Sequence, residues 1–255
     1  MTALFGAPTA QHRVVVGVGL AAATTVSWAY LFFLGARMAT MGSPFAMPMT
    51  SAWTGHDFAL MWTMWAVMMA AMMIPSAVPM ISAYSATIEA KNSTLHGSTP
   101  LFIVGYLTAW SGFAAVATAA QWLLHEFTLV DTTGASTSSA LGGIILIGAG
   151  GYQFTSVKNN CLAKCRTPLG FLLNEWREGP RGALVMGLRH GSVCIGCCWA
   201  LMAMLFVLGV MNLWWIAAVA AIVLLEKLIP SSRLTRILGG VLAIWGTALI
   251  VGIGS

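Results

Sequence analysis

Charge is what this chain has least of. Of 255 residues only 7% are charged, and just seven are acidic, against roughly a quarter charged in soluble proteins. So few ions exclude an ordinary water-soluble globule. With 58% hydrophobic residues and a mean hydropathy of +0.84, the chain reads as all-α, a polytopic transmembrane helix bundle. The twelve basic residues are scattered, which excludes a nucleic-acid-binding surface and assigns the net charge of +5 to loops at a membrane face. There is no phosphate-cradling glycine loop, so nucleotide hydrolysis does not drive the protein directly. Neither an internal repeat nor a low-complexity tract is present. No short apolar stretch followed by a small-residue cleavage site opens the chain, so residues 13–35 read as a retained first span.

Spans need about 20 apolar residues. Seven stretches qualify: 14–35, 58–82, 101–124, 139–157, 184–210, 213–229 and 237–253, all within one integral membrane domain covering residues 1–255. The fourth is short and glycine-rich. Basic residues set the orientation. With the N-terminus cytoplasmic, Arg13, Lys91, Lys158, Lys164, Arg166, Arg177, Arg181, Lys227, Arg233 and Arg236 fall on the inner side. Arg189 lies at a span's inner end, and only Arg37 is outside. The expectation is a multi-pass protein of the bacterial inner (cytoplasmic) membrane. None of the five cysteines then lies in an outer loop, which argues against structural disulfides.

What the chain does have is a sulfur-rich helix face. His190, Cys194, Cys197 and Cys198 stand at i, i+4, i+7 and i+8, all on one side at 100° per residue. Imidazole and thiolates together suit Cu(I) or Zn(II), and polar groups at membrane depth are costly and functional by default. A straight helix cannot wrap all four around one ion, because His190 and Cys198 are about 12 Å apart along the axis. Cys194 with Cys197 or Cys198, plus a ligand from another span, makes a workable site. Cys194 and Cys197 also form C-x-x-C, a redox spacing. Such pairs usually sit at a helix N-terminus or beside a cation, and here the pair is mid-helix in apolar surroundings. Gly187, Gly191 and Gly196 read as packing positions that let another helix come close.

Three further groups extend this face. If spans five and six form a hairpin turning at Asn212, Glu226 is level with Cys197 and Cys198, about 21 Å from the outer end. It is a ligand candidate, or else a structural tie to Lys227, Arg189 or another inner arginine. In span two, Met61, Met64, Met68 and Met72 form a stripe with Met69 and Met73 beside it. Methionine there is apolar filler or a thioether ladder for Cu(I), and Pro75 frees a carbonyl near the same depth. Cys161 and Cys165 share a helix face between basic residues in the large inner loop. They form a reactive pair or a two-coordinate Cu(I) site, or are unrelated reduced cysteines; they are too few for structural zinc. An outer loop carries Met38, Met41, Met47 and Met49, then His56 and Asp57; it captures Cu(I) or is an ordinary interfacial loop.

Met61-Trp62 through Met72-Met73-Ile74-Pro75, Gly151-Tyr152-Gln153 through Cys161-x-x-x-Cys165-Arg166, His190-Gly191 through Cys194-Ile-Gly-Cys-Cys-Trp199, and Gly209-Val-Met-Asn212 with Glu226-Lys227 carry a resemblance. The chain resembles a bacterial family of predicted metal-binding integral membrane proteins of unknown function, which implies metal binding but no substrate or reaction. The first expectation is therefore a protein that binds and handles a soft transition metal ion, Cu(I) favoured over Zn(II), as a carrier, a metal donor or an assembly factor for a metalloenzyme. His190, Cys194, Cys197 and Cys198 form its membrane site, Met72, Met73 and Glu226 complete it, and Cys161 and Cys165 exchange metal on the inner side. Its partners are the lipid bilayer and a metallochaperone or membrane complex. The alternatives are a membrane thiol-disulfide oxidoreductase linking Cys194/Cys197 to Cys161/Cys165, and a non-catalytic subunit whose polar residues only bind helices together.

Overall fold

The structure is a computed structural model that describes residues 10–39, 53–90, 98–130 and 135–252. Among these residues it is helical, with no strand beyond an isolated bridge between Val130 and Ser136. The helices are α1 (Ala10–Ala39), α2 (Gly55–Ala90), α3 (Ser98–Glu126), α4 (Ser139–Tyr152), α5 (Ser156–Arg166), α6 (Pro168–Glu175), α7 (Gly179–Ala203), α8 (Leu205–Leu208), α9 (Leu213–Leu228) and α10 (Ser232–Val251). The all-α expectation holds.

Local chemistry sets the helix starts. Thr54 and Asp57 form a reciprocal capping box at α2: the Thr54 amide donates to the Asp57 carboxylate at 2.8 Å and the Asp57 amide to Thr54 Oγ1 at 3.3 Å. The side chains of Ser138, Thr155, Asn212 and Ser231 cap α4, α5, α9 and α10. Gly209, at a φ of 91° that L side chains rarely adopt, turns the chain out of α8 towards α9.

Among the described residues, five helical stretches are long and apolar enough to cross a membrane: Val14–Arg37, Gly55–Ala90, Ser98–Glu126, Gly179–Leu208 and Ser232–Val251. They match the first, second, third, fifth and seventh expected spans. At the fourth, α4 has 14 residues and the chain then bends by 63° into α5, so the two count as one span only if broken. At the sixth, α9 is apolar and 16 residues long, about 24 Å at 1.5 Å per residue. The inner loop expected after residue 157 is largely helix: α5 angles away from α4 and packs against α7.

Two glycine seams hold the helices together. In the first, α3 packs on α7: a Cβ at Gly187 would collide with the Phe102 carbonyl, one at Gly105 with the Leu184 carbonyl, and one at Gly191 would come within 2.6 Å of Ala109 Cβ. In the second, α4 packs on α10, where Gly143 and Gly246 face each other's carbonyls with 2.6 Å to an added Cβ, and Gly150 and Gly239 repeat the arrangement at 2.7 and 2.9 Å. Glycine packing of this kind lets helices approach without a solvent-driven hydrophobic force. The expectation that Gly187 and Gly191 serve packing is met. Helix α2 closes the first group, burying Met61, Met64, Trp65, Met68, Met69, Met72 and Met73 against its neighbours.

Candidate metal centre

Helix α7 turns three thiols inward. The Sγ atoms of Cys194, Cys197 and Cys198 all lie within 4.8 Å of one another, and all three residues are buried. Their spacing of three and four residues puts them on one helix face, one turn apart. The Cys197 and Cys198 thiols each donate to the Cys194 carbonyl at 3.0 Å, which draws both sulfurs back towards Cys194. Metal–sulfur bonds of about 2.3 Å place three sulfurs about 4.0 Å apart around one ion, and two sulfurs about 4.6 Å apart across it. The trio, with no separation above 4.8 Å, is on the scale of those spans.

The fourth sulfur comes from α5. Cys165 Sγ lies 4.0 Å from Cys197 Sγ. Cys161, one turn earlier on α5, rests against the bare backbone of Gly196, where an added Cβ would lie 2.9 Å from its Sγ. Gly196 therefore lets α5 approach α7 through the Cys161 sulfur, as expected of a packing position. All five cysteines are free thiols. Sequence spacing placed the α5 pair apart from the α7 group; the fold brings them together.

A buried cation faces this cluster. Lys227 Nζ donates to Cys194 Sγ at 2.9 Å and to Ser76 Oγ at 2.7 Å. The Tyr106 hydroxyl lies 3.2 Å from Cys194 Sγ and donates to the Met73 carbonyl at 3.2 Å. An ammonium in the apolar interior is expensive without a counter-charge, and a thiolate at Cys194 supplies one. The same cation would offset the negative charge of thiolates gathered around a metal ion. Tyr106 and Ser76 were not singled out in the sequence, and Lys227 was considered there as a partner for Glu226, not as a neighbour of the sulfurs.

The remaining candidates stand apart from the sulfurs to different degrees. Glu226 is outside the group of three sulfurs: its carboxylate accepts from Lys158 Nζ of α5 at 2.7 Å, with both side chains 2% exposed or less. Arg166 donates from Nε to the Glu226 carbonyl at 2.8 Å and from its Nη2 as well. Glu226 is thus a structural tie, and its partners are on α5 rather than the Lys227 or Arg189 considered from sequence. Arg189 pairs with Glu175. His190 lies one turn before Cys194, enclosed by the rings of Phe102, Tyr106 and Phe171 at centroid distances of 6.1, 5.8 and 5.2 Å. It is outside the group of three sulfurs. Met72 and Met73 are buried in the adjoining core. Met73 borders the site through its carbonyl and through Ser76, whose Oγ lies 4.0 Å from Met73 Sδ. The residues at 41, 47 and 49 lie outside the described residues, and the Met38 side chain is likewise not described.

A family model described as a copper chaperone, PpoB2, matches residues 62–249. This bears out the metal-binding side of the resemblance and attaches a metal to it. No curated protein and no solved structure matches the chain significantly.

Proposed function

This chain belongs to the copper chaperone family, and from that premise we propose that it is a membrane-embedded carrier that holds Cu(I) on Cys194, Cys197 and Cys198 and donates it to a metalloenzyme or its assembly site. The buried group of three sulfurs within 4.8 Å carries this reading. Thiolates in a low-coordination, apolar setting favour Cu(I), whereas structural zinc takes four ligands and catalytic zinc keeps a water. The copper ion is cargo. The trio grips it, Lys227 balances the charge of the thiolate complex, and Cys165 at 4.0 Å from Cys197 is a further sulfur to which it can pass.

The membrane reading rests on the apolar helices and on where the basic residues fall. Arg177 and Arg181 flank the start of α7, and Arg233 and Arg236 the start of α10. Both starts face the cytoplasm, with the N-terminus, if α4 and α9 also cross as short or bent spans; this supports an inner-membrane protein of seven passes. The break between α4 and α5 then lies at depth, where irregular backbone is tolerated only against protein.

The test is metal analysis of the full chain purified in detergent after expression with copper or zinc. The expected result is copper at one or more ions per chain, lost when Cys194, Cys197 and Cys198 are all changed to Ser. Copper unchanged in that variant, or zinc in its place, contradicts the reading. The 4.0 Å gap between Cys165 and Cys197 also favours a second reading, a dithiol that alternates with a disulfide. Thiol trapping that finds all five cysteines reduced in growing cells removes it.

A further inference from the structure

The five thiols form two groups that share one member. Cys197 Sγ is within 4.8 Å of Cys194 and Cys198 Sγ on its own helix, and 4.0 Å from Cys165 Sγ on α5. Cys161 Sγ lies against the backbone of Gly196, the residue before Cys197. A separation of 4.0 Å suits two sulfurs on one ion, whose span runs from about 4.0 Å in a trigonal site to about 4.6 Å in a linear one. The position of α5 is fixed on both sides of its cysteines. Lys158, three residues before Cys161, pairs with the Glu226 carboxylate at 2.7 Å. Arg166, next to Cys165, donates to the Glu226 carbonyl. These ties hold α5 to α9 while α5 packs on α7, and Tyr152 of α4 donates to the Gly196 carbonyl in the same stretch of α7.

The geometry points to a second Cu(I) site between Cys165 and Cys197, flanked by Cys161, so that Cys197 bridges two copper ions. This rests on the reading of the α7 trio as a Cu(I) site and deepens it. The second site lies on the side where the sulfurs are less enclosed, Cys161 and Cys165 being half-buried and the trio buried. It gives the cargo a way out. A bond from Cys165 sulfur to copper forms as the bond from Cys198 sulfur breaks, the Cys165 proton passes to the released sulfur, and copper stays monovalent throughout. Each step exchanges one thiolate for another, and thiolates are the soft ligands that select Cu(I).

The test is anaerobic titration of the full chain in detergent with Cu(I) against a chromophoric Cu(I) chelator. The expected result is two ions per chain in the wild type and one in Cys165→Ser. X-ray absorption of the fully loaded wild type should also show copper–copper scattering, a signature that needs no variant to fold. A wild type that binds no copper sinks the carrier reading and this inference with it. One ion bound equally by wild type and Cys165→Ser leaves the carrier standing and overturns the second site. Two ions retained in Cys165→Ser overturn it as well. So does complete loss of copper in a Cys165→Ser variant of unchanged helix content, which would mean a single mixed site.

Discussion

The two glycine seams use the same device and enclose different things. Where α4 meets α10, backbone carbonyls and glycines interlock at Gly143, Gly150, Gly239 and Gly246, and the seam carries no thiol or ionisable side chain. Where α3 meets α7, the same close approach at Gly105, Gly187 and Gly191 positions Tyr106 and His190 along the seam and turns Cys194, Cys197 and Cys198 towards α5 and α9. Close packing is thus the general solution for these helices, and the cluster of three thiols is what α7 adds to it. The polar groups concentrate on that side as well. Two neighbouring residues of α9 face different elements, Glu226 holding α5 and Lys227 reaching the sulfur of α7.

Breaking the polar ties should cost most. Glu226→Gln leaves Lys158 charged and unpaired in the interior, a loss of about 3–5 kcal/mol. Denaturant titration should register it, and α5 should loosen enough to expose Cys161 and Cys165 to a thiol reagent while the α4–α10 seam stays protected. Overfilling the seams separates their roles. Gly187→Leu and Gly246→Leu should each destabilise by about 1–3 kcal/mol or somewhat more. Only Gly187→Leu should also lower bound copper, measured on the purified proteins; equal copper loss in both would erase the distinction between the seams. The smallest effect should come from Tyr152→Phe, which removes one hydrogen bond to the Gly196 carbonyl, about 0.5–1.5 kcal/mol. It should leave the copper count unchanged and speed copper transfer to a chelator.

Periodicity made the α7 face legible: three cysteines at helical spacing point the same way in any helix. Depth bookkeeping was right for the end of α9 but not for which residue meets the sulfurs. Neighbours on a helix differ by 100° in direction, so Glu226 and Lys227 share a depth and face different partners, and only tertiary packing fixes the rotation. The placement of α5 was not legible either. Cys161 and Cys165 read as part of an inner loop because the Thr155 cap marks only where α5 starts, whereas the 63° bend from α4 and the pairing of Lys158 with Glu226 across 68 residues depend on tertiary packing. His190 fell on the expected face, yet its aromatic enclosure comes from α3 and α6, which spacing within α7 does not describe. The glycines were read correctly as packing positions at Gly187 and Gly191. So was Gly196, whose missing Cβ admits the Cys161 sulfur of α5.

The account stands most directly on the atoms bound to the metal. X-ray absorption at the copper edge of the loaded full chain measures them. The expected spectrum has a Cu(I) edge and a first shell of sulfur only, at about 2.3 Å, close to the metal–thiolate distance known for zinc. A first shell containing nitrogen, which would bring His190 onto the metal, or a Cu(II) edge, would contradict a carrier that holds its cargo on the α7 thiols.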